Sequence, residues 1–244
     1  MVTIDEMWLI GGSDICLANG IVVRQPKLND IRDSSVGFKR YTTFVNTFAL
    51  KIGDMVSPEV IEKLSANFGE KLTAYLIFSL DPMLRAALFD AMSFFIVGDV
   101  TFDENELCFI VNDSIMITDA IFEELRYCVL VCAGVKDIEK ATPVFRSEKA
   151  RMIYEKMQKG RAQLAAAKAA GGNKDTMLPN LVSALCAKHP SINLCNVWNL
   201  TVWQLYDQFG RVCVNSQVDI VGLRWAAWGK EDFDFSTWYK TNTQ

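Results

Sequence analysis

A basic segment poor in apolar residues divides this chain in two. Residues 146–174 hold eight basic and two acidic side chains, a net charge of +6 in a chain whose formal net charge is −4. The segment is rich in strong helix formers but has few large apolar side chains to anchor a helix to a core. We therefore expect 146–175 to be a solvated, partly helical tether between a folded part at 1–145 and another at 176–244.

Two binding roles remain open for this basic segment beside that of a tether. Its positive charge suits an acidic helical partner, or a nucleic acid whose bound counterions it would release. The rest of the chain carries a net charge of −10, and no motif of a nucleic-acid-binding fold is present. We therefore expect no nucleic-acid partner.

The first part, 1–145, is predicted to combine two short β-hairpins with helices. Asn19-Gly20 and Asn112-Asp113 each lie between two β-rich runs, and both pairs suit tight hairpin turns. Helical spacing of apolar residues predicts further elements: helices across 28–50 with a break near 34–37, from Ser57-Pro58, from Asp81-Pro82, and from a capping Asp119 to Gly134. Because the strands are grouped and do not alternate with helices, the predicted fold class is α+β.

The last part, 176–244, is predicted to be all-helical. Apolar periodicity predicts three helices, over 177–186, 202–213 and 218–228, the last one ended by Gly229. An aromatic tail at 233–239 follows. Such a tail is too short to fold alone, so we expect it to lie on another surface of this chain or of a partner.

Composition limits where the protein acts. Half of the residues are hydrophobic, which excludes overall disorder. The most apolar window, 74–97, is interrupted by Asp81, Arg85 and Asp90, so we expect no membrane span and no membrane partner. The seven cysteines are odd in number and scattered, which favours free thiols in a reducing cytoplasm.

The chain offers little for catalysis. His189 is the only histidine, and together with Cys186 and Cys195 it makes one tight pair with an irregularly spaced third ligand, whereas structural zinc sites use two tight pairs. Cys128 and Cys132 have the spacing of two buried positions on one helix face. No nucleotide-binding, nucleophile-elbow or metalloprotease motif is present. We expect no catalytic, cofactor-binding or metal-ligating residue, and a protein that is not an enzyme.

Tryptophans are concentrated near the end of the chain. Five of the six lie between 198 and 238, where they either fill a small core or form a binding surface, since tryptophan is enriched at binding hot spots. The candidate partner-binding residues are Trp203, Trp228, Phe235, Trp238 and Tyr239.

Three short segments carry a resemblance to a known protein family. Residues 19–31 run from a short strand into Gln25-Pro26 and a helix, 178–185 read as an apolar helix, and 197–209 enter an amphipathic helix through Val197-Trp198-Asn199-Leu200. In this order, the segments resemble tail assembly chaperones of tailed bacteriophages, chiefly those of Gram-positive hosts.

The resemblance implies a late, non-enzymatic role in virion morphogenesis in the host cell cytoplasm. Its expected partners are the phage tape-measure protein and tail-tube subunits, and homo-oligomerisation is compatible with it. Weak contacts on several surfaces become effective when they act together on a long client. The alternative is a structural virion protein, such as a connector or baseplate component, whose surfaces form permanent symmetric interfaces. An enzyme of unrecognised type would need a pocket with converging polar groups, and it ranks last because the sequence supplies one histidine and no paired motif.

Overall fold

A computed structural model describes residues 4–33, 35–69, 72–135, 177–229 and 234–239. The predicted tether at 146–175 and both predicted domain boundaries lie outside these residues, so that division of the chain stays a prediction.

The first predicted hairpin is confirmed. Strand β1 (Ile15–Cys16) pairs antiparallel with β2 (Val22–Val23). In the turn, the Asn19 side-chain oxygen accepts the Ile21 N–H at 3.0 Å, and Gly20 adopts a φ of 90°. That left-handed conformation favours glycine, which explains the Asn-Gly signal.

The second predicted hairpin is also confirmed, but it is part of a three-stranded sheet. Strands β4 (Cys108–Val111) and β5 (Ile115–Met116) are joined by a turn with positive φ at both Asn112 and Asp113. The sheet order is β3-β4-β5, all antiparallel, and the sequence did not predict β3 (Val100–Asp103). All four residues of β3 pair with β4. Across this pair, the Phe102 and Phe109 rings pack edge-to-face with their centroids 4.9 Å apart.

Eight helices cover much of the described part of 1–135. The predicted break near 34–37 and the helix starts at Pro58 and Pro82 are confirmed, whereas α1, α4 and α6 are short and were not predicted. The helix near 119 is capped by Thr118, not by Asp119 as predicted, because the Thr118 hydroxyl accepts the Ile121 N–H. The bounds are α1 (Glu6–Gly11), α2 (Leu28–Arg32), α3 (Gly37–Ala49), α4 (Ile52–Met55), α5 (Pro58–Phe68), α6 (Ala74–Leu80), α7 (Pro82–Phe95) and α8 (Asp119–Cys132).

Aromatic side chains from four helices meet at the centre of this part. The ring of Phe48 on α3 lies 5.8 Å from that of Phe95 on α7 and 6.3 Å from that of Phe122 on α8. Tyr75 on α6 lies 5.2 Å from Phe122. Burial of large aromatic rings contributes strongly to core stability.

The C-terminal part is helical, which confirms the predicted α+β class with a helical end. It comprises α9 (Leu178–Lys188), a 3-10 helix (Val197–Asn199), α10 (Val202–Trp228) and a second 3-10 helix (Phe235–Tyr239). The two helices predicted over 202–213 and 218–228 are wrong, since α10 is continuous. The polar residues between them do not break the helix because none is glycine or proline, and the Ser216 hydroxyl donates to the Val212 carbonyl at 2.6 Å.

The C-terminal part shares its hydrophobic core with the N-terminal part. Its buried residues lie in the same cluster as those of 9–132 and are Leu178, Leu181, Val182, Leu185, Val197, Val202 and Leu205. We call the described residues 4–135 and 177–201, against which α10 packs, the body of the protein.

Candidate interaction surface

The long helix α10 is anchored where two of the resembling segments meet. The Leu28 N–H donates to the Leu200 carbonyl at 2.9 Å, and the Val202 N–H donates to the Pro26 carbonyl at 3.0 Å. Residues that are far apart in the sequence thus form a short antiparallel bridge. This contact gives the Gln-Pro segment a structural role, because it positions the first turn of α10.

Side chains complete the anchor. The Thr201 hydroxyl accepts the Gln204 N–H at 3.2 Å, while the Gln204 side-chain oxygen accepts the Thr201 N–H at 2.8 Å. This reciprocal pair is a capping box. The Gln204 amide nitrogen also donates to the Ile10 carbonyl at 2.7 Å, which ties α10 to α1.

Gln25 is the other polar element of the anchor. Its side chain is buried, and its amide nitrogen donates to the Trp8 carbonyl at 2.9 Å and to the Ser13 carbonyl. Its backbone N–H donates to the Asp14 carboxylate at 3.1 Å. These bonds hold α1 and the first hairpin together beside the start of α10.

Burial along α10 changes sharply with position. Val202 and Leu205 are buried, and Phe209 and Val212 are half-buried against the core. No residue of α10 after Leu205 is buried. We call 202–212 the proximal half and 213–228 the distal half of α10.

The distal half and the tail expose large apolar side chains. The tail forms its 3-10 helix and packs against α10, with the Trp238 and Tyr239 rings edge-to-face at 5.4 Å. The exposed fractions are 60% for Ile220, 72% for Leu223, 67% for Trp228, 57% for Trp238 and 62% for Tyr239.

The predicted partner-binding residues separate into two groups. Trp228, Trp238 and Tyr239 are exposed at the end of α10 and on the tail, and we call these three residues the aromatic end. Trp203 is half-buried and packs against the core. Phe235 begins the second 3-10 helix, and its side chain lies outside the described part of the structure.

The tryptophans therefore do not share one role in the fold. Like Trp203, Trp198 packs against the core, and its indole N–H donates to the Leu194 carbonyl at 2.7 Å. The Arg32 guanidinium lies 4.9 Å from its ring centroid, a cation–π contact. Core packing thus accounts for Trp198 and Trp203, whereas the three residues of the aromatic end are exposed.

Sequence reasoning missed Ile220 and Leu223 as candidate surface residues. It assigned them to the apolar face of a separate helix. Their spacing could have identified them. Once α10 is read as one helix, steps of three and four residues connect Ile220 and Leu223 to Val212 through Ser216.

His189, Cys128 and Tyr75 take part in turns or in packing. His189 accepts the Ser191 and Ile192 N–H groups at 3.1 and 3.0 Å through Nδ1, so it caps a turn. Burial, with a smaller contribution from Glu124, raises the pKa of the Cys128 thiol to about 12. Burial likewise raises the pKa of Tyr75 to about 12, and its hydroxyl accepts the Phe109 N–H at 3.0 Å. Both groups are neutral at pH 7.

The described residues contain neither a metal-binding group of side chains nor a membrane-spanning helix. Among them, no three His, Cys, Asp or Glu side chains are grouped so that they would hold a metal ion. No helix in the same residues has both the length and the apolar character needed to cross a bilayer.

Comparison with known families gives one match, at the C-terminal part. Residues 171–243 match the family model described as the YomV second domain, which is a Bacillus phage-type protein family. The match indicates a phage protein. It includes α9, all of α10 and the tail, and it leaves the N-terminal part of this phage protein unmatched. Searches of curated proteins and of solved structures found no match.

Proposed function

We propose that this phage protein is a non-enzymatic tail morphogenesis factor, a tail assembly chaperone that binds the tape-measure protein and tail-tube subunits in the host cell cytoplasm. One observation carries the proposal: the end of a helix anchored firmly in the body, and the tail that packs against this helix, expose three large aromatic side chains to solvent.

Leaving these aromatic rings exposed forgoes the free energy that their burial would supply. Trp228, Trp238 and Tyr239 are each more than half exposed, although burying such side chains is worth several kcal/mol at a binding hot spot, about 2 kcal/mol or more each. Neighbouring exposed aromatic residues are typical of a protein-binding surface. A long apolar client would cover them.

The chemistry of the described residues supports a binding role. The thiols with strongly raised pKa values are protonated at neutral pH and are therefore poor nucleophiles. The single histidine is engaged in a turn. The resemblance to tail assembly chaperones and the phage family match point in the same direction.

The proposal is tested by co-purification. The protein is co-expressed with the tape-measure protein or the tail-tube protein of the same phage, and the amount retained on an affinity tag is measured. We expect the pair Trp238→Ala and Tyr239→Ala to reduce retention at least about tenfold while the melting temperature changes little, because the rings are exposed.

Trp8→Ala is the matched control, since Trp8 is an exposed tryptophan on α1, outside the aromatic end. It should leave retention unchanged. Failure of the wild-type protein to retain either client would refute the chaperone proposal, and a large loss of stability in the double variant would show that the tail belongs to the core.

The alternative, a connector or baseplate component, predicts a different location. A structural protein is present in purified particles at a fixed copy number, whereas a chaperone is found in infected-cell lysate and is depleted from particles. Quantitative mass spectrometry of both fractions distinguishes the two functions.

A further inference from the structure

The core-facing stripe of α10 continues beyond the body. Its proximal members, Val202, Leu205, Phe209 and Val212, face the core. Steps of three and four residues extend it to Ser216, Ile220, Leu223 and Ala227, which we call the distal stripe. At 3.6 residues per turn all eight positions fall within about 80° of arc, so they form one face of the helix.

The distal stripe has two large apolar side chains, Ile220 and Leu223, and it differs from the proximal stripe in what lies against it. Ile220 and Leu223 are mostly exposed, and Ala227 is exposed. They occupy the same face whose earlier members pack tightly against the rest of the chain. We propose that a second copy of this protein covers the distal stripe, with the two α10 helices antiparallel about a twofold axis near Val221 and Gly222.

Steric considerations select the antiparallel direction. The body lies against the stripe along 202–212, on the same side of α10 as Ile220 and Leu223. A parallel copy placed on the distal stripe would bring its own body into this volume. In the antiparallel arrangement, each body lies beyond the end of the other helix.

The twofold axis also pairs side chains of the two copies. It places Ile220 opposite Leu223 of the second copy, and Ser216 opposite its Ala227. This is the reciprocal contact that an isologous dimer requires.

Charge is compatible with this pairing. Asp219 and Arg224 are the only charged residues in the distal half, so its net charge is zero in a chain of net charge −4. In the antiparallel pair, each edge of one distal stripe lies against the same edge of the other. Asp219 therefore lies beside the second copy's Ala226, and Arg224 lies beside its Gln217. The two Asp219 residues share one edge of the contact and the two Arg224 residues share the other, and each pair is about 7.5 Å apart along the axis. The Gln217 amide oxygen can accept from a guanidinium.

The length of the contact predicts a weak dimer. The distal half is 16 residues long, or about 24 Å, and a single helix face of this length falls short of the roughly 800 Å² per partner of a standard stable interface. We expect a dissociation constant on the order of micromolar.

Sedimentation velocity of the full chain alone, from about 1 to 100 μM, tests the proposal without any client. We expect a monomer–dimer equilibrium, and we expect Leu223→Asp to raise the dissociation constant at least about tenfold because it places a charge in the contact. Met83→Asp is the control, since Met83 is highly exposed on α7 and should have no effect. A monomer at every concentration, or a dimer unaffected by Leu223→Asp, would overturn the proposal.

Disulfide formation tests the direction of the helices. In the antiparallel pair the two Cys213 residues are about 25 Å apart along the axis, too far for a disulfide, whereas in a parallel pair they would lie at the same level along the axis. In a chain with Cys16→Ser and Cys195→Ser, which removes the other exposed thiols, oxidation should not cross-link Cys213.

Mixing two chains of that background, one with Ile220→Cys and one with Leu223→Cys, should yield the mixed disulfide. Efficient Cys213 cross-linking without the mixed product would exclude the antiparallel dimer. These experiments need no client and change no residue of the aromatic end, so their outcome is independent of the chaperone proposal.

Discussion

The two halves of α10 share one helix and one apolar stripe, yet they have opposite environments. In the proximal half, Leu205 is completely buried and Tyr206 packs against the end of α8. In the distal half, Leu223 is exposed. Both leucines occupy equivalent positions on the same face. The periodicity of a helix thus identifies the face that needs cover, while the covering partner depends on where the rest of the chain lies.

The largest expected effect comes from truncating the two leucines in parallel. Leu205→Ala should lower the free energy of unfolding by about 2–5 kcal/mol because it leaves a cavity in the core. Leu223→Ala should change it by less than about 0.5 kcal/mol, since the side chain is already in water. Chemical denaturation at submicromolar protein concentration measures both, and equal losses would abolish the contrast between the halves.

The contact between α8 and the proximal half predicts the next effect. Gly134 has a φ of 73°, and a Cβ added there would overlap the Tyr206 ring. Gly134→Ala should therefore cost about 3 kcal/mol, from backbone strain and overpacking together.

Gly37→Ala isolates the backbone contribution. Gly37 has a similar φ of 67° but no atom within 4 Å of the added Cβ, so the cost should be about 1 kcal/mol. Thermal or denaturant unfolding compares the two variants, and a Gly134→Ala loss no larger than that of Gly37→Ala would mean that Tyr206 can move aside.

The capping box predicts a moderate effect at the start of the proximal half. Thr201→Ala removes the acceptor for the Gln204 N–H and should lower the free energy of unfolding by about 1 kcal/mol. Thr201→Ser keeps that acceptor and should recover most of the loss. If serine proves as destabilising as alanine, the methyl group rather than the cap stabilises this turn.

The smallest effect concerns the ion pair of the proximal half. Arg211 lies one turn after Asp207, and its Nε is 2.9 Å from the Asp207 carboxylate. Asp207→Asn should cost about 0.5 kcal/mol, and the difference should shrink at high salt because ions screen the pair. A loss that does not respond to salt would assign the effect to hydrogen bonding.

Local signals predicted much of the secondary structure. Asn19-Gly20 and Asn112-Asp113 mark the two hairpin turns, and proline marks the first residue of α5 and of α7. These signals succeed because the φ preferences of glycine, asparagine and proline act within a few residues. The capping of α8 was misassigned by one position, since Thr118 and Asp119 are both good capping residues.

Non-local structure was harder to predict. Strand β3 depends on pairing with β4, and the continuity of α10 depends on the absence of a helix breaker between 213 and 218. The candidate surface shows the same limit. The sequence singled out Trp203, Trp228, Trp238 and Tyr239 by residue type, but it could not separate the half-buried Trp203 from the exposed other three.

By itself, the sequence determined the hairpin turns, most helix starts, the α+β class and the apolar stripe along α10, because these follow from backbone preferences and periodicity over a few residues. The tertiary structure alone decided which part of that stripe is buried. Burial requires a second surface at the right place, and the bridge between Pro26 and Val202 brings the body against the proximal half and leaves the distal half exposed.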